Sequence, residues 1–320
     1  MKENYCFWKK VLFFGDFGID DTIAIIYAHL TDKIDVIGIV ADYGNVPKAE
    51  VVRNVRFLLK NVGKEYVKVF GGAEHSMSSE AETFYPEVHG KFGIGPIYPG
   101  LEIQTFENFF EVLTLIKQHK NELIIVNTGR LTSLATLFLL YGDVMEYVHS
   151  YYIMGGAFLY PGNVTPIAEA NFYGDPGSAN IVMRYAKNLS IYPLNVTQSA
   201  IVTPEMVNYI HSKGKTKFLK PLLDYYYYQF YQKKVPGIQG SPVHDALTLI
   251  AINRDDIFTY HQSAVTVNVL DTVRGQSIGD FRSTFEPETF GNRPKHRIAI
   301  QMNYEKFFKE FMTVMTGELF

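Results

Sequence analysis

Apolar runs of strand length alternate with stretches of helical periodicity along most of this chain. VLFFG (Val11–Gly15), IDVIGIVAD (Ile34–Asp42) and VKVFGG (Val67–Gly72) read as three strands. ELIIVNTG (Glu122–Gly129), VHSYYIMGG (Val148–Gly156) and LSIYPLNVT (Leu189–Thr197) read as three more. Between them, helical patterns run from Asp20 to Leu30, from Lys48 to Val62, through Ser133–Leu140 and onward from near Asp175. Near-continuous apolar runs suit strands buried on both faces, and parallel strands need helical crossovers. The expected fold is therefore α/β: a single-domain, open, mostly parallel sheet flanked by helices and wound in both directions. Without a repeat, low-complexity segment or linker, residues 1–320 read as one domain. The second half predicts an aromatic-rich helix over Leu222–Lys234, a late strand or hairpin over Val265–Arg282, and a terminal amphipathic helix over Tyr304–Met315.

In open α/β sheets, ligands bind beyond the carboxyl ends of the strands. Five of the six predicted exits carry Asp16, Asp20 and Asp21; Asp42 to Asn45; Asn127 and Thr128; Met154 followed by Asn163, Glu169 and Asn171; and Asn195 with Thr197. Polar groups thus converge on one rim. Asp16, Asp20 and Asp21 crowd a bend between two apolar segments, where unpaired burial costs several kcal/mol or more. A helix N-terminus offsets only ~0.3–1 kcal/mol of that. A hard cation with oxygen ligands would hold the bend together, and Ca²⁺ suits carboxylates plus a carbonyl. Clustered Cys or His, which zinc would want, is missing. Such a cation could orient and acidify a water whose proton a neighbouring carboxylate accepts. The bend alone equally accommodates Asp20 as a helix N-cap and Asp16 as a turn residue. Val243-His244-Asp245 likewise precedes an apolar helix, where Asp245 could cap and His244 lie on the surface. His89 stands in a Gly-rich loop, and Tyr225–Tyr228 with Tyr231 form a stripe that suits a core, an interface or a base-stacking wall.

Charge and cysteine content narrow the partners. The 320 residues hold 30 basic and 33 acidic side chains. That balance carries no polyanion signature, so nucleic acid is not an expected partner. The single Cys6 fits a reducing compartment. No apolar run reaches the ~20 residues of a membrane span, and the N-terminus lacks a leader's features. A soluble, cytoplasmic protein with a small-molecule ligand is expected.

With these residues assembled, the chain resembles the inosine–uridine preferring nucleoside hydrolases, the nucleoside N-ribohydrolases. Their N-terminal fingerprint, D-x-D-x-G-x-D-D, stands here as Phe14 to Asp21, matching at all but the first Asp. The ordered set continues through Gly44-Asn45-Val46, His89-Gly90 with Gly93, Thr128-Gly129-Arg130-Leu131-Thr132 and Met154-Gly155-Gly156. It then runs through Asn163, Glu169-Ala170-Asn171, Asp175-Pro176, Val196-Thr197, Val243-His244-Asp245, Arg274-Gly275-Gln276 and Asp280.

The resemblance implies a Rossmann-like nucleoside hydrolase fold and Ca²⁺-dependent cleavage of ribonucleosides to free base and ribose, a salvage reaction. It implies that Asp16, Asp21, Asp245 and the Thr128 carbonyl bind Ca²⁺, with Asp16 as base for the attacking water. Asp20, Asn45, Asn163, Glu169, Asn171 and Asp245 would grip the ribose hydroxyls, with Met154 beneath the sugar. His244 would protonate the leaving base, and His89, Tyr227 and Tyr231 would line its pocket. A homodimer or homotetramer is implied. Phe14 departs from the family's first Asp, Asn195 from a usual Asp, and Ala170 from a usual Phe. Phe14 favours one alternative, an impaired ribonucleoside-binding protein, whereas the retained acids argue for an enzyme. A hydrolase of phosphorylated sugars is the other alternative, but acid- and Asn-rich exits suit phosphate poorly.

Overall fold

The computed structural model describes residues 8–78, 82–100, 102, 105–282 and 290–320, so Cys6 lies outside the described residues. Its strands, in chain order, begin with β1 (Lys9–Gly15), β2 (Ile34–Ala41), β3 (Lys68–Gly71), β4 (Ile124–Asn127), β5 (Ser150–Met154) and β6 (Leu189–Tyr192). The remainder are β7 (Ile201–Val202), β8 (Ser241–Pro242), β9 (Phe258–Ser263), β10 (Val265–Val267), β11 (Ser277–Gly279) and β12 (His296–Met302). Eight of them form one sheet in the order β3-β2-β1-β4-β5-β6-β12-β9. Every neighbouring pair is parallel except β12 with β9. This is the doubly wound α/β sheet that the alternating pattern requires.

β1 explains why the sheet is buried on both faces. Val11 and Phe13 enter one apolar layer, and Leu12 and Phe14 enter the other. The first layer is completed by α1 (Ile19–Leu30), by the helix Ala246–Asn253 and by the terminal helix Tyr304–Thr316. The second is completed by the helices Thr132–Met145 and Pro176–Tyr185. Residues Ala246 to Ile252 are all buried, so that helix has no polar face to betray its period.

The chain first builds outward from β1 to β3, then returns past β1 to build from β4 the other way. The connections leaving β1 and β4 therefore diverge to opposite faces of the sheet, opening a crevice at this switch point. Asp16 follows β1 and Thr128 follows β4, so both stand at its edge.

Several elements depart from the expectation. The sixth strand stops at Tyr192, and Leu194–Thr197 is a helical turn rather than its continuation. Pro193 offers no N–H to the ladder and has the backbone angle to begin a helix. The hairpin in Val265–Arg282 is β10 with β11. β9 and β12 were not anticipated: β9 is a polar-looking edge strand, FTYHQS, of the kind that protects a sheet from edge pairing. The aromatic helix is not uniformly α: Leu219–Tyr225 is α-helical, and Tyr226–Tyr231 forms a π-helix. Among the described residues, no helix is long and apolar enough to cross a membrane.

Asn195 ties the β6 exit to the loop after β5. Its Oδ1 accepts the Phe158 N–H at 3.0 Å, and its Nδ2 donates to the Phe158 carbonyl at 2.7 Å. An amide serves both groups at once, and an ionised carboxylate, which only accepts, cannot. Asn195→Asp puts a carboxylate oxygen against that carbonyl and should lower the unfolding free energy by about 1–3 kcal/mol. Urea denaturation measures it; an unchanged midpoint and slope would refute the assignment.

Candidate active site

The bend after β1 is built around glycines that let carboxylates come close. A Cβ on Gly15 would lie 2.7 Å from Asp21 Oδ1 and 3.1 Å from Thr128 Oγ1, and one on Gly44 would lie 1.8 Å from Asp16 Oδ2. With both positions bare, Asp21 accepts the Gly18 N–H at 2.8 Å and the Thr128 hydroxyl at 2.7 Å. Asp16 accepts the Asn45 backbone N–H at 2.8 Å and the Asn45 Nδ2 at 3.0 Å. That same Nδ2 reaches Asp21 Oδ2 at 3.4 Å, linking the two acids.

Asp245 arrives at the start of the helix Ala246–Asn253. Oxygens of Asp20, Asp21 and Asp245 all lie within 4.8 Å of one another. All four acids are buried, and Asp20 Oδ1 has no hydrogen-bond partner. Burial pushes every one of them up. Asp16 and Asp245 stand well above the usual carboxylate range, with neighbouring aspartates adding to the effect. Asp20 is raised to about 7 by burial and then by Asp21. Arg130 draws Asp16 down again, but more weakly.

The residues fit a cation. Oxygen donors alone face one another, and one of them is buried without a partner. That donor set suits a hard divalent ion and not zinc. The grouping adds Asp20 to Asp21 and Asp245, two of the acids that the resemblance implied. Asp16 adjoins the group through Asn45.

Asp16, Asp20, Asn45, Thr128 and Asp245 open onto a cavity of about 820 Å³. Its polar flank holds Met154, Asn163, Glu169 and Asn171, with Ala170 beside them. Glu169 caps its own short helix: Oε1 accepts the Asn171 N–H at 2.7 Å, and Oε2 accepts the Gly156 and Phe172 N–H groups at 2.8 and 3.1 Å. Burial raises its pKa. Asn171 Nδ2 donates to the Thr128 carbonyl at 2.7 Å and to the Met154 carbonyl at 3.2 Å, fastening this flank to the β4 exit. Asn163 Oδ1 accepts the Ala170 N–H at 3.0 Å.

The opposite end of the cavity is aromatic. His89, Tyr226, Phe230, Tyr231 and His244 line it. Tyr227 does not: it is turned aside, and its hydroxyl donates to the Ile238 carbonyl at 3.3 Å. The π-helix is the reason. Its i→i+5 hydrogen bonds align Tyr226 with Tyr231, where α spacing would align Tyr227. Those two rings meet edge to face, 4.9 Å between centroids. Tyr226, part of the predicted stripe, thus takes the place expected of Tyr227, and Phe230 is the wall residue that the sequence pattern missed.

His89 Nδ1 accepts the Ile19 N–H at 3.1 Å, which leaves its proton on Nε2. Burial lowers its pKa to about 3. His244 is held at both nitrogens, by Tyr231 and by Thr197, and burial lowers it to about 4. Both imidazoles are neutral near pH 7. A separate groove of about 510 Å³, lined in part by Phe158, Ile167 and Phe281, has no acid or histidine among the described residues that line it. The polar chemistry belongs to the larger cavity.

Phe14 packs in the apolar layer with Leu12, Val40 and Phe70. In register it faces Asn127, whose buried amide has no partner. The substitution therefore falls on the sheet and leaves the four acids assembled.

Buried carboxylates beside a pocket with a polar flank and an aromatic wall are compatible with a glycosyl hydrolase. Comparison with known proteins narrows that class. The family described as inosine-uridine preferring nucleoside hydrolase matches residues 11–309, and the chain belongs to it. It is 30% identical to "Probable uridine nucleosidase 2" of Arabidopsis thaliana over 95% of this chain and 96% of that protein. It is 26% identical to the inosine-uridine preferring nucleoside hydrolase of Crithidia fasciculata, over 94% and 95% of the two chains. The solved purine-preferring ribonucleoside hydrolase from Gardnerella vaginalis superposes with a TM-score of 0.87 at 27% identity, covering 97% of this chain and 98% of that one. The chain is accordingly an enzyme that hydrolyses N-glycosyl bonds.

One further acid lies beneath the rim. Asp42, fully buried after β2, accepts the Ser133 hydroxyl and the Ala73 N–H with Oδ1, while Oδ2 has no partner. Burial raises it to about 7. A carboxyl that titrates higher when folded favours folding while protonated. That contribution is complete below the unfolded value of ~3.9 and is lost as pH rises through the folded value. Asp42→Asn stays neutral, so its stability advantage over the native chain should widen from about pH 4 to about pH 7, then level off. Urea denaturation across pH tests this; parallel stability curves would refute it.

Proposed function

We propose that this enzyme cleaves the N-glycosidic bond of ribonucleosides with a calcium ion held by Asp16, Asp20, Asp21, Asp245 and the Thr128 carbonyl. The buried oxygen cluster opening on the cavity's polar flank carries the reading. Bound there, the ion supplies positive charge that balances the carboxylates and acidifies water. Its oxygen-only surroundings favour calcium over zinc.

Asp16 accepts the proton of the attacking water. Asn45, donating to both Asp16 oxygens, aims the carboxylate and favours its ionised form. Asp20, Asn45, Asn163, Glu169, Asn171 and Asp245 hold the ribose hydroxyls, with Met154 under the ring. Binding energy from those contacts is available to orient and distort the sugar toward an oxocarbenium-like transition state. The base lies between His89, Tyr226 and Tyr231. His244 is neutral, so it meets the departing base as part of a hydrogen-bonded pair with Tyr231 rather than as a standing imidazolium.

Ribose release from inosine, adenosine, guanosine, uridine and cytidine tests the proposal. At least one should be cleaved, chelation should abolish cleavage, and Ca²⁺ should restore it while Zn²⁺ should not. A rate indifferent to chelators would reject the cation. Asp16→Asn should lower kcat by roughly 10²–10⁴-fold, the usual contribution of a positioned base, with circular dichroism unchanged. Full activity in that variant would reject Asp16 as the base. Ribonucleoside binding without turnover in the native protein would favour the impaired-binder reading.

A further inference from the structure

Tyr85 lines the active-site cavity, yet the resemblance gives it no role. Among the described residues, its buried hydroxyl has no hydrogen-bond partner. Such a group is costly unless something in the cavity completes it. The position of the residue is closely held. Its N–H donates to the Asn45 carbonyl at 3.0 Å, and its carbonyl accepts the Val88 and His89 N–H groups at 3.1 and 3.0 Å. Just upstream, the buried Arg130 donates from Nη1 to Glu82 Oε2 at 2.7 Å and from Nη2 to the Thr83 carbonyl. The same guanidinium lies 4.7 Å from the centre of the Tyr43 ring. The exits of β2 and β4 thus set Tyr85 from two sides.

The charged groups that act on this hydroxyl are Arg130, Glu169 and Asp16. Burial raises its pKa, so it is a neutral phenol and a donor near pH 7. A guanidinium offers only N–H groups, so Arg130 favours the phenol oxygen and turns its proton the other way, toward the cavity. A carboxylate has about four acceptor sites. On Glu169, the N–H groups of Asn171, Gly156 and Phe172 take three of them, which leaves one on Oε1. Tyr85 and Glu169 do not bond each other. A sugar hydroxyl between them would accept from the phenol and donate to the carboxylate, completing both. Ribose chemistry says which hydroxyl. The vicinal 2′- and 3′-oxygens suit a hard cation held by the acid cluster. The 5′-hydroxyl stands apart from that pair and is the one left for Tyr85 and Glu169.

We infer that Tyr85 contacts the substrate, its hydroxyl donating to the 5′-oxygen of the ribose while Glu169 accepts the proton of that same 5′-hydroxyl. The inference deepens the proposed cleavage of ribonucleosides and rests on it. No bond to Tyr85 is made or broken in the reaction. Its effect is on selection. A nucleoside without a free 5′-hydroxyl leaves a buried donor and a buried acceptor unpaired, the kind of loss by which sites discriminate most sharply.

The test combines Tyr85→Phe, which removes only the hydroxyl, with substrates that each lack one sugar hydroxyl. Native enzyme and variant are assayed on the ribonucleoside that the native enzyme cleaves fastest and on its 2′-deoxy, 3′-deoxy and 5′-deoxy forms. A form too slow to turn over is measured as a competitive inhibitor, through its Ki. Tyr85→Phe should lower kcat/KM on the ribonucleoside by about tenfold or more, with circular dichroism unchanged. That loss should persist on the 2′-deoxy and 3′-deoxy forms and vanish on the 5′-deoxy form. No loss on the ribonucleoside, a loss that persists on the 5′-deoxy form, or one that vanishes on another form instead would overturn the inference. So would a native enzyme indifferent to removal of the 5′-hydroxyl, a result that needs no variant. If the native protein cleaves no ribonucleoside, the functional reading falls and takes the inference with it. If it cleaves them and Tyr85→Phe behaves as native, only the inference falls.

Discussion

Repulsion among carboxylates that water scarcely reaches is the constraint to which the rest of this architecture answers. Asp16, Asp20, Asp21 and Asp245 are buried side by side, and their ionised forms oppose one another. Such a group persists only with compensation from outside each side chain. The fold supplies part of it as N–H and O–H donors from Gly18, Asn45 and Thr128. Gly15 and Gly44 make those donors reachable, since any larger residue would displace the acids. The sheet's switch point provides the place, because its diverging connections free the β1 and β4 exits at once.

The same compensation explains why the polar flank is so heavily cross-tied. Glu169 gives its oxygens to three backbone N–H groups, and Asn171 gives its amide to the exits of β4 and β5. These side chains hold the loop after β5 in place before any ligand arrives. A site formed in advance pays less ordering entropy on binding than one assembled around its substrate.

Much of this was legible in the sequence because it follows from short-range pattern. Two-sided burial wrote the strands as unbroken apolar runs, and the acids stand at the ends of those runs. The parts that escaped have physical reasons. Tyr227 was preferred to Tyr226 within the aromatic stripe because an α-helical period was assumed where the helix widens to a π turn, and Phe230 was left out of the stripe. Leu194–Thr197 looked like strand because Leu194 and Val196 alternate with polar residues, although Pro193 had already ended the ladder. β9 pairs only on one side, so it carries polar residues and no run to notice. Phe14, read as a departure within the fingerprint, is an ordinary member of an apolar layer, beside Asn127 in register. Asn195, another departure, has become a bracket that an amide forms and an ionised carboxylate cannot.

The acids that meet at the switch point come from residue 16 at one extreme and residue 245 at the other. No local segment contains the whole set, so the cation site exists only once distant parts of the chain have found each other. Closing so wide a loop is slow and entropically unfavourable until the sheet is complete. An ion bound there recognises the finished fold and not its fragments, and it shifts the folding equilibrium by mass action in proportion to its own concentration. Divalent ion supply would then act on the lifetime of the folded molecule as well as on its chemistry.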